Sequence, residues 1–411
     1  MALLALAGRL GGDMPGVLLR VEAFRQGDYV RLPQWFGGIP NLTYSILLAP
    51  LGAVLGVTAL AALSAGSTVA GVAHLVRSTT PLRRRLASLA AVVSAIATVC
   101  VGRITYSTGT AFAVWAVVLL AVATRRRTIG AVLLAALAGA SSPVSGLFLA
   151  MITVAHLVPA RRIGTAAATA VAALAPVTVV NLLFATHGGL DLGWKAGLTI
   201  MALYGAFLLG CRTRTVRVTA ALGIAATLGV TLVDTQITYI VGRLPETFGG
   251  ATAAATARRI IGTALFALLV GWNLMSIRTG MSESGDGERS GVAFTPLVAA
   301  LDELQPVGAV EVVPTALHWE TWFVARHHHI ARGWERQADI DHGHLFYSDA
   351  PITADAYADW LRRQGVEYVA LGDLEIDHSG KAEAELLADP PPYLVEVFAD
   401  EGWTVWRVDL P

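Results

Sequence analysis

The chain has 411 residues, of which 55% are hydrophobic and only 15% charged, against about 25% charge in an ordinary soluble domain. Its zero net charge conceals a split: residues 1–276 hold 21 Lys+Arg and 6 Asp+Glu, residues 277–411 hold 9 and 24, and the parts sum to 30 and 30. A basic, apolar part followed by an acidic one excludes a single soluble domain, and basic residues confined to short clusters between apolar runs argue against nucleic acid as a partner.

The opening Met-Ala-Leu-Leu-Ala-Leu-Ala is apolar but shorter than the roughly 20 residues a membrane span needs, and reads as the tail of a truncated first span. Residues 12–41 read as a polar loop with Asp13, Arg20, Glu22, Arg25, Asp28 and Arg31, closing on Gln34-Trp35-Phe36-Gly37-Gly38, aromatics suited to a membrane interface. Apolar runs follow at 42–76, 86–102, 109–124, 128–160, 163–184, 193–211, 218–233 and 258–277. The runs at 42–76 and 128–160 exceed one span. Ser141-Ser142-Pro143 is expected to break the second into a hairpin, because proline frees a backbone carbonyl. Cys100 and Cys211 sit in or at the ends of apolar runs, as core residues do, and no disulfide is expected.

Arginines cluster at 83–85, 125–127, 161–162 and 212/214/217, which the positive-inside rule places in the cytoplasm. The loops at 12–41, 103–108, 185–195 and 234–257 then face outward. Arg258-Arg259 fits this scheme poorly, and followed strictly the scheme ends the last run in the cytoplasm.

Residues 279–291 are a linker by composition. Beyond it a helix is expected over 292–304, a strand over 309–313, an amphipathic helix over 354–364 capped by Gly365, and a strand over 366–371. A helix over 381–388 and strands over 393–398 and 403–408, turned by Asp400-Glu401-Gly402, complete a small α/β domain. The expected fold is mainly α: a polytopic transmembrane helical bundle of about eight to eleven spans over 1–278, the linker, and a soluble α/β domain over 292–411.

Motifs run through both parts. The first part has Gly12-Asp13-Met14-Pro15, Arg20, Trp35-Phe36-Gly37-Gly38, Tyr44-Ser45 with Pro50, Arg103-Ile104-Thr105-Tyr106-Ser107-Thr108-Gly109 and Ser142-Pro143-Val144-Ser145-Gly146. The second has Val312-Val313-Pro314-Thr315, His318-Trp319-Glu320, Ala331-Arg332-Gly333-Trp334-Glu335-Arg336-Gln337, Trp360-Leu361, Val366–Leu371 and Trp403. Together they resemble a group of actinobacterial polytopic membrane proteins similar to the C-type membrane glycosyltransferases. The resemblance implies a polyprenyl-phosphate sugar donor at the membrane, no cofactor, and an outward-facing C-terminal domain. It also implies an acidic residue of the first outer loop that accepts a proton from, or orients, the acceptor hydroxyl. Asp13 matches that position, and Arg20 and Arg103 are candidates for holding the leaving phosphate.

Three further groups qualify as substrate contacts. Asp234 closes an apolar run, with Gln236 and Tyr239 just beyond, and acids at such depth are costly to bury. Arg332 and Trp334 lie in the densest polar-aromatic stretch, where flat rings beside charged donors suit a sugar or headgroup; a packing surface toward the membrane is the alternative. Arg258-Arg259 has the same two readings, donor site or interfacial anchor. Seven of the ten histidines fall in the C-terminal part, but three are consecutive and no zinc pattern supports them, so no metal is expected. A glycosyltransferase using a lipid-linked sugar in cell-envelope biosynthesis is the leading expectation. A secondary transporter, or a non-catalytic envelope-assembly protein, is the alternative.

Overall fold

A computed structural model of the chain describes residues 11–30, 42, 45–184, 191–235, 238–282, 290–333, 343–347 and 350–410. The expected first span, the aromatics at 34–38, Tyr44, Gln236, Trp334 and His342 lie outside them. The described residues form two compact units, one within 42–282, the other from 11–30 with 290–410.

The first unit is helical: α2 Leu48–Leu55, α3 Val57–Leu75, α4 Pro81–Cys100, α5 Ile104–Leu120, α6 Arg125–Ser141, α7 Pro143–Leu157, α8 Ile163–Leu183, α9 Trp194–Gly210, α10 Arg214–Leu232, α11 Arg243–Thr256 and α12 Arg259–Ser282. By length and hydropathy, α3, α8, α10 and α12 are long and apolar enough to cross a membrane, and α5, α7 and α9 are shorter apolar helices. The fold is that of a polytopic membrane protein. The expected break is present: Ser142 is extended (φ −156°, ψ 121°), and its hydroxyl accepts from the Ser145 amide ahead of Pro143.

Contacts between helix termini show that α3 to α12 alternate between two ends of the unit. At one end the Arg83 guanidinium donates to the Ala255 carbonyl at 2.9 Å, joining the start of α4 to the end of α11. Arg162 donates to Leu120 O, and the Arg258 amide to Gly210 O. At the other end the Ile46 amide bonds Ala140 O, Arg103 pairs with Glu246, and a Cβ on Gly280 would touch Cys100 O. All the arginine clusters, Arg258-Arg259 included, therefore gather at one end.

This corrects the reading of 234–257 as an outer loop. Within it α11 runs from one end of the unit to the other, about 21 Å for fourteen residues. Its glycines, alanines and threonines give no strong apolar signal, but they let α11 approach its neighbours closely: Gly250 faces the Ala90 methyl, and a Cβ on Gly249 would meet Leu269 Cδ1 at 2.5 Å. The added pass returns α12 to the arginine end at its start and carries its last turn to the opposite end.

The second unit holds a four-stranded sheet ordered β1-β2-β4-β3, from β1 Ala309–Val312, β2 Val366–Gly372, β3 Leu394–Asp400 and β4 Trp403–Val408. β1 and β2 are parallel; β4 runs antiparallel to both β2 and β3. Its helices are α13 Thr295–Leu304, α14 Glu320–Phe323, α15 Ala354–Gln364 and α16 Lys381–Leu387. The Thr353 hydroxyl caps the start of α15, and left-handed Gly365 ends it before β2 begins. Tyr357 and Trp360 of α15 are buried against Val369 of β2 and Trp406 of β4 in one core.

Residues 11–30 also depart from the expected division. They hold a helix, α1 Met14–Gln26, closed by left-handed Gly27. It packs against α14 and belongs with the C-terminal unit rather than with the transmembrane bundle.

In a chain freed of Cys100 and Cys211, the single substitutions Arg84→Cys, Arg126→Cys and Arg258→Cys should behave alike. On intact cells all three should resist a membrane-impermeant maleimide, because positively charged loops are retained inside. Labelling of Arg258→Cys alone would remove α11 from the set of passes.

Candidate functional site

The first unit holds a cavity of about 500 Å³, open on one side, lined by α3, α5, α7, α9, α10 and α11. Its walls are apolar over most of their length, with Val114, Val117, Phe148, Ile152, Phe207 and Phe248 as main contributors. From Tyr106 to Val117 along α5 this wall runs about 16 Å. The two ends differ. Toward the arginine clusters the lining becomes polar, with Thr79, Thr213, Thr256, and His156 at 3.3 Å from the Thr215 hydroxyl. The opposite end is roofed by Tyr106 of α5, Tyr204 of α9, and Leu244 and Pro245 of α11.

That roof carries the polar constellation of the unit. The Tyr106 hydroxyl lies 3.0 Å from Thr247 Oγ1, and Tyr204 donates to Val241 O at 2.8 Å. The Arg243 guanidinium stands over the Tyr106 ring, 5.8 Å from its centroid. Arg103, just before α5, donates to Glu246 Oε1 at 2.9 Å, the two side chains 23% and 21% exposed. Asn273 of α12 donates to the Glu246 carbonyl at 2.9 Å and so ties α12 to the same turn. Two guanidiniums and one carboxylate thus lie behind the roof of the cavity, and none of the three lines it.

Of the residues singled out from sequence, only Arg103 belongs to this constellation. Asp234 is exposed beyond the end of α10 and does not line the cavity. Asp13 and Arg20 are in the second unit, two turns apart along α1; Arg20 is buried, and Asp13 precedes the helix without capping it through its side chain. Arg243 and Glu246 were not singled out, and Tyr106 figured only within the motif Arg103–Gly109. Glu246 had a signal: it is one of only six acids before residue 277.

In the second unit Arg332 is no surface donor. Its side chain is 1% exposed; Nε donates to Glu311 Oε1 at 2.7 Å, and Nη2 pairs with Glu383. The guanidinium carbon lies 3.6 Å from the centre of the Phe346 ring. Tyr357 donates to Glu383 Oε1 at 2.5 Å, and burial, followed by the charges of Glu383 and Glu311, pushes its hydroxyl well above the usual phenol range. Arg332 therefore neutralises two buried acids and has no face left for a sugar, which corrects its reading as a substrate contact.

A second polar group lies where β1 and β2 end. His318 Nδ1 is 3.3 Å from Glu320 Oε1, and Nε2 is 3.9 Å from Asp377 Oδ1. Burial pushes the Asp377 carboxyl up, but the His318 charge and hydrogen bonds from Ser379 outweigh it and hold the group at about 2. Among the described residues no three His, Cys, Asp or Glu side chains are grouped to hold a metal.

No protein-family model matches the chain, and no curated protein matches it by sequence. Solved structures do match. ArnT from Cupriavidus metallidurans in the apo state aligns over 97% of this chain and 93% of its own, at 12% identity and a TM-score of 0.50. The same protein bound to undecaprenyl phosphate aligns over 98% and 96%, at 12% identity and a TM-score of 0.51. At that identity the likeness is one of fold.

Two stability measurements follow. Arg332→Ala leaves Glu311 and Glu383 facing each other unneutralised, and should cost the full chain about 3–5 kcal/mol in chemical denaturation; a loss below about 1 kcal/mol would return Arg332 to the surface class. Asp377 is held below its unfolded value near 4, so its contribution is present above about pH 4 and is lost as the pH falls toward 2. Asp377→Asn should flatten the stability profile across that window; an unaltered slope would dissociate Asp377 from acid unfolding.

Proposed function

We propose that the chain is a multi-pass enzyme of the cell membrane that transfers a sugar from a polyprenyl-phosphate donor in cell-envelope biosynthesis. The observation that carries this reading is the largely apolar cavity whose roof residue Tyr106 lies under the Arg243 guanidinium, beside the Arg103–Glu246 pair. Its support is the fold likeness to ArnT, one structure of which holds undecaprenyl phosphate. A prenyl tail is pure hydrocarbon and gains from transfer into such a cavity, about 25 cal/mol per Å² buried. Its phosphate needs cations at the end, and guanidiniums bind phosphate oxygens two at a time.

In this reading Arg103 and Arg243 hold the phosphate, and Glu246 keeps Arg103 aimed. The acceptor hydroxyl oxygen attacks the anomeric carbon while the carbon–oxygen bond to phosphate breaks. The polyprenyl phosphate leaves with that bond's electron pair, and a carboxylate takes the hydroxyl proton, the role that the sequence resemblance implies for Asp13. Glycosyl transfer of this kind needs no cofactor. The arginine clusters mark the cytoplasmic end of the first unit, and α12 ends at the other.

The test uses the full chain in lipid nanodiscs, with undecaprenyl phosphate as binding probe and a panel of undecaprenyl-phosphate sugars as donors. Arg103→Gln should weaken undecaprenyl phosphate binding about tenfold. Asp13→Asn should leave that binding unchanged and cut turnover by about two to four orders of magnitude. Full turnover in Asp13→Asn would remove Asp13 from the mechanism. A wild-type chain that binds no undecaprenyl phosphate would sink the reading as a whole.

A further inference from the structure

The segment His318–Thr321 departs from ordinary protein geometry in three ways at once. His318 is left-handed, at φ 56°, a conformation that residues other than Gly, Asn and Asp seldom adopt. Trp319 and Thr321 are 4% and 0% exposed. Trp319 Nε1 and Thr321 Oγ1 have no hydrogen-bond partner among the described residues. Buried polar groups are nearly always paired, and backbone strain persists only where the surroundings hold it in place.

The surroundings here are specific. The loop after β1 and the loop after β2 are joined by the Ala316 amide on Glu375 O at 2.7 Å and the Asp377 amide on Pro314 O at 2.9 Å. The His318 ring lies between them, with Glu320 facing one nitrogen and Asp377 the other. Glu320 is held in turn by the Thr315 hydroxyl at 2.7 Å, and Asp377 by the amide and hydroxyl of Ser379. Glu320 is also the first residue of α14, the short helix against which α1 packs. Phe323, at the other end of α14, stacks on Phe294 with centroids 5.7 Å apart, and Trp319 lies 5.4 Å from Phe323. The imidazole clamps the start of this helix and the aromatic stack fixes its end.

We propose that His318 is a positioning residue: clamped between Glu320 and Asp377, it fixes α14 as the seat of α1 and thereby holds Asp13, at the head of α1, in place. The functional consequence rests on the reading of Asp13 as the proton acceptor. The strained backbone, and two polar groups with no partner among the described residues, are tolerated because the ring must reach both carboxylates. A fold residue alone would be served as well by Asn or Gly, which adopt this backbone without strain.

His318→Asn is the informative variant, since it keeps a residue tolerant of the left-handed backbone and removes the ring. Amide exchange of the full chain in nanodiscs, followed over 14–26 and 366–372, reads the outcome. Exchange in α1 should quicken about tenfold while β2 exchanges as in the wild type, with the Kd for undecaprenyl phosphate unchanged. Unaltered exchange in α1 overturns the proposal. Equal quickening in α1 and β2, or a changed Kd, also overturns it, by making His318 a residue of the fold at large. Glu320→Gln, which keeps size and removes the charge facing Nδ1, is read by the same rule should the first variant fail to accumulate. Full turnover in Asp13→Asn would fail the base and leave the exchange result standing, so the two readings fail separately.

Discussion

The guanidinium of Arg83 on the last carbonyls of α11 organises the membrane unit. Helix C-termini leave carbonyls without intrahelical partners, and in apolar surroundings each unmatched group costs several kcal/mol. Arg83 supplies donors to two of them, Ala255 O at 2.9 Å and Ala257 O at 3.4 Å. That contact sets the end of α11 against the start of α4. The start of α11 is thereby carried to the far end of the unit, where Glu246 meets Arg103 from the turn after α4 and Asn273 from α12. Arg162 on Leu120 O repeats the device between α8 and α5. The arginines are therefore more than markers of sidedness; two of them close helix ends.

The cavity depends on the same placement. α11 forms one of its walls through Phe248, Ala251 and Thr252, and its first turn supplies Leu244 and Pro245 to the roof. A bulkier helix could not pass there, because Gly249 and Gly250 lie against Leu269 and Ala90. Tyr106 and Tyr204 complete the arrangement: each ring lines the cavity while each hydroxyl bonds to the segment 241–247 above it. One short helix of small residues thus fixes the shape of the apolar space and the charge behind its roof.

What the sequence disclosed follows from which signals are local. Alternating helix and strand patterns, with Gly365 as a cap, marked α15 and β2 to within a residue. The Ser142-Pro143 break was legible for the same reason, since a cap and a proline act within one turn. α11 was not, because Gly, Ala and Thr give little hydropathy contrast, and its identity as a pass is decided by packing against α4 and α12. α1 read as polar loop because its charged residues Glu22 and Arg25 sit in its last turns, whereas its first turns, Met14 to Val17, are buried. Arg103 was found because cations near a span's end are conspicuous, while its partner Glu246 lies 143 residues away. Arg332 misled for the opposite reason: a run of arginine, tryptophan and glutamate looks like a surface, and only Glu311 and Glu383, distant in the chain, make it a core.

The acids of the first part illustrate how far charge scarcity can guide. With six acids before residue 277, each must be tolerated for a local reason. Glu22 is matched by Arg25 within its own helix, a surface pair of small energetic weight. Glu246 is matched by Arg103 at partial burial, where a lone charge of either sign would be more costly. On the proposed reading that match has a second effect. Two arginines in a low-dielectric site would hold a phosphate monoester tightly, and an enzyme that binds product as firmly as transition state gains nothing in turnover. A carboxylate 2.9 Å from one guanidinium lowers the net charge of the site by one while keeping the donors aimed. In that reading Arg243 would attract the anion and Arg103 orient it, and a released polyprenyl phosphate would meet a site of moderated charge from which it could leave.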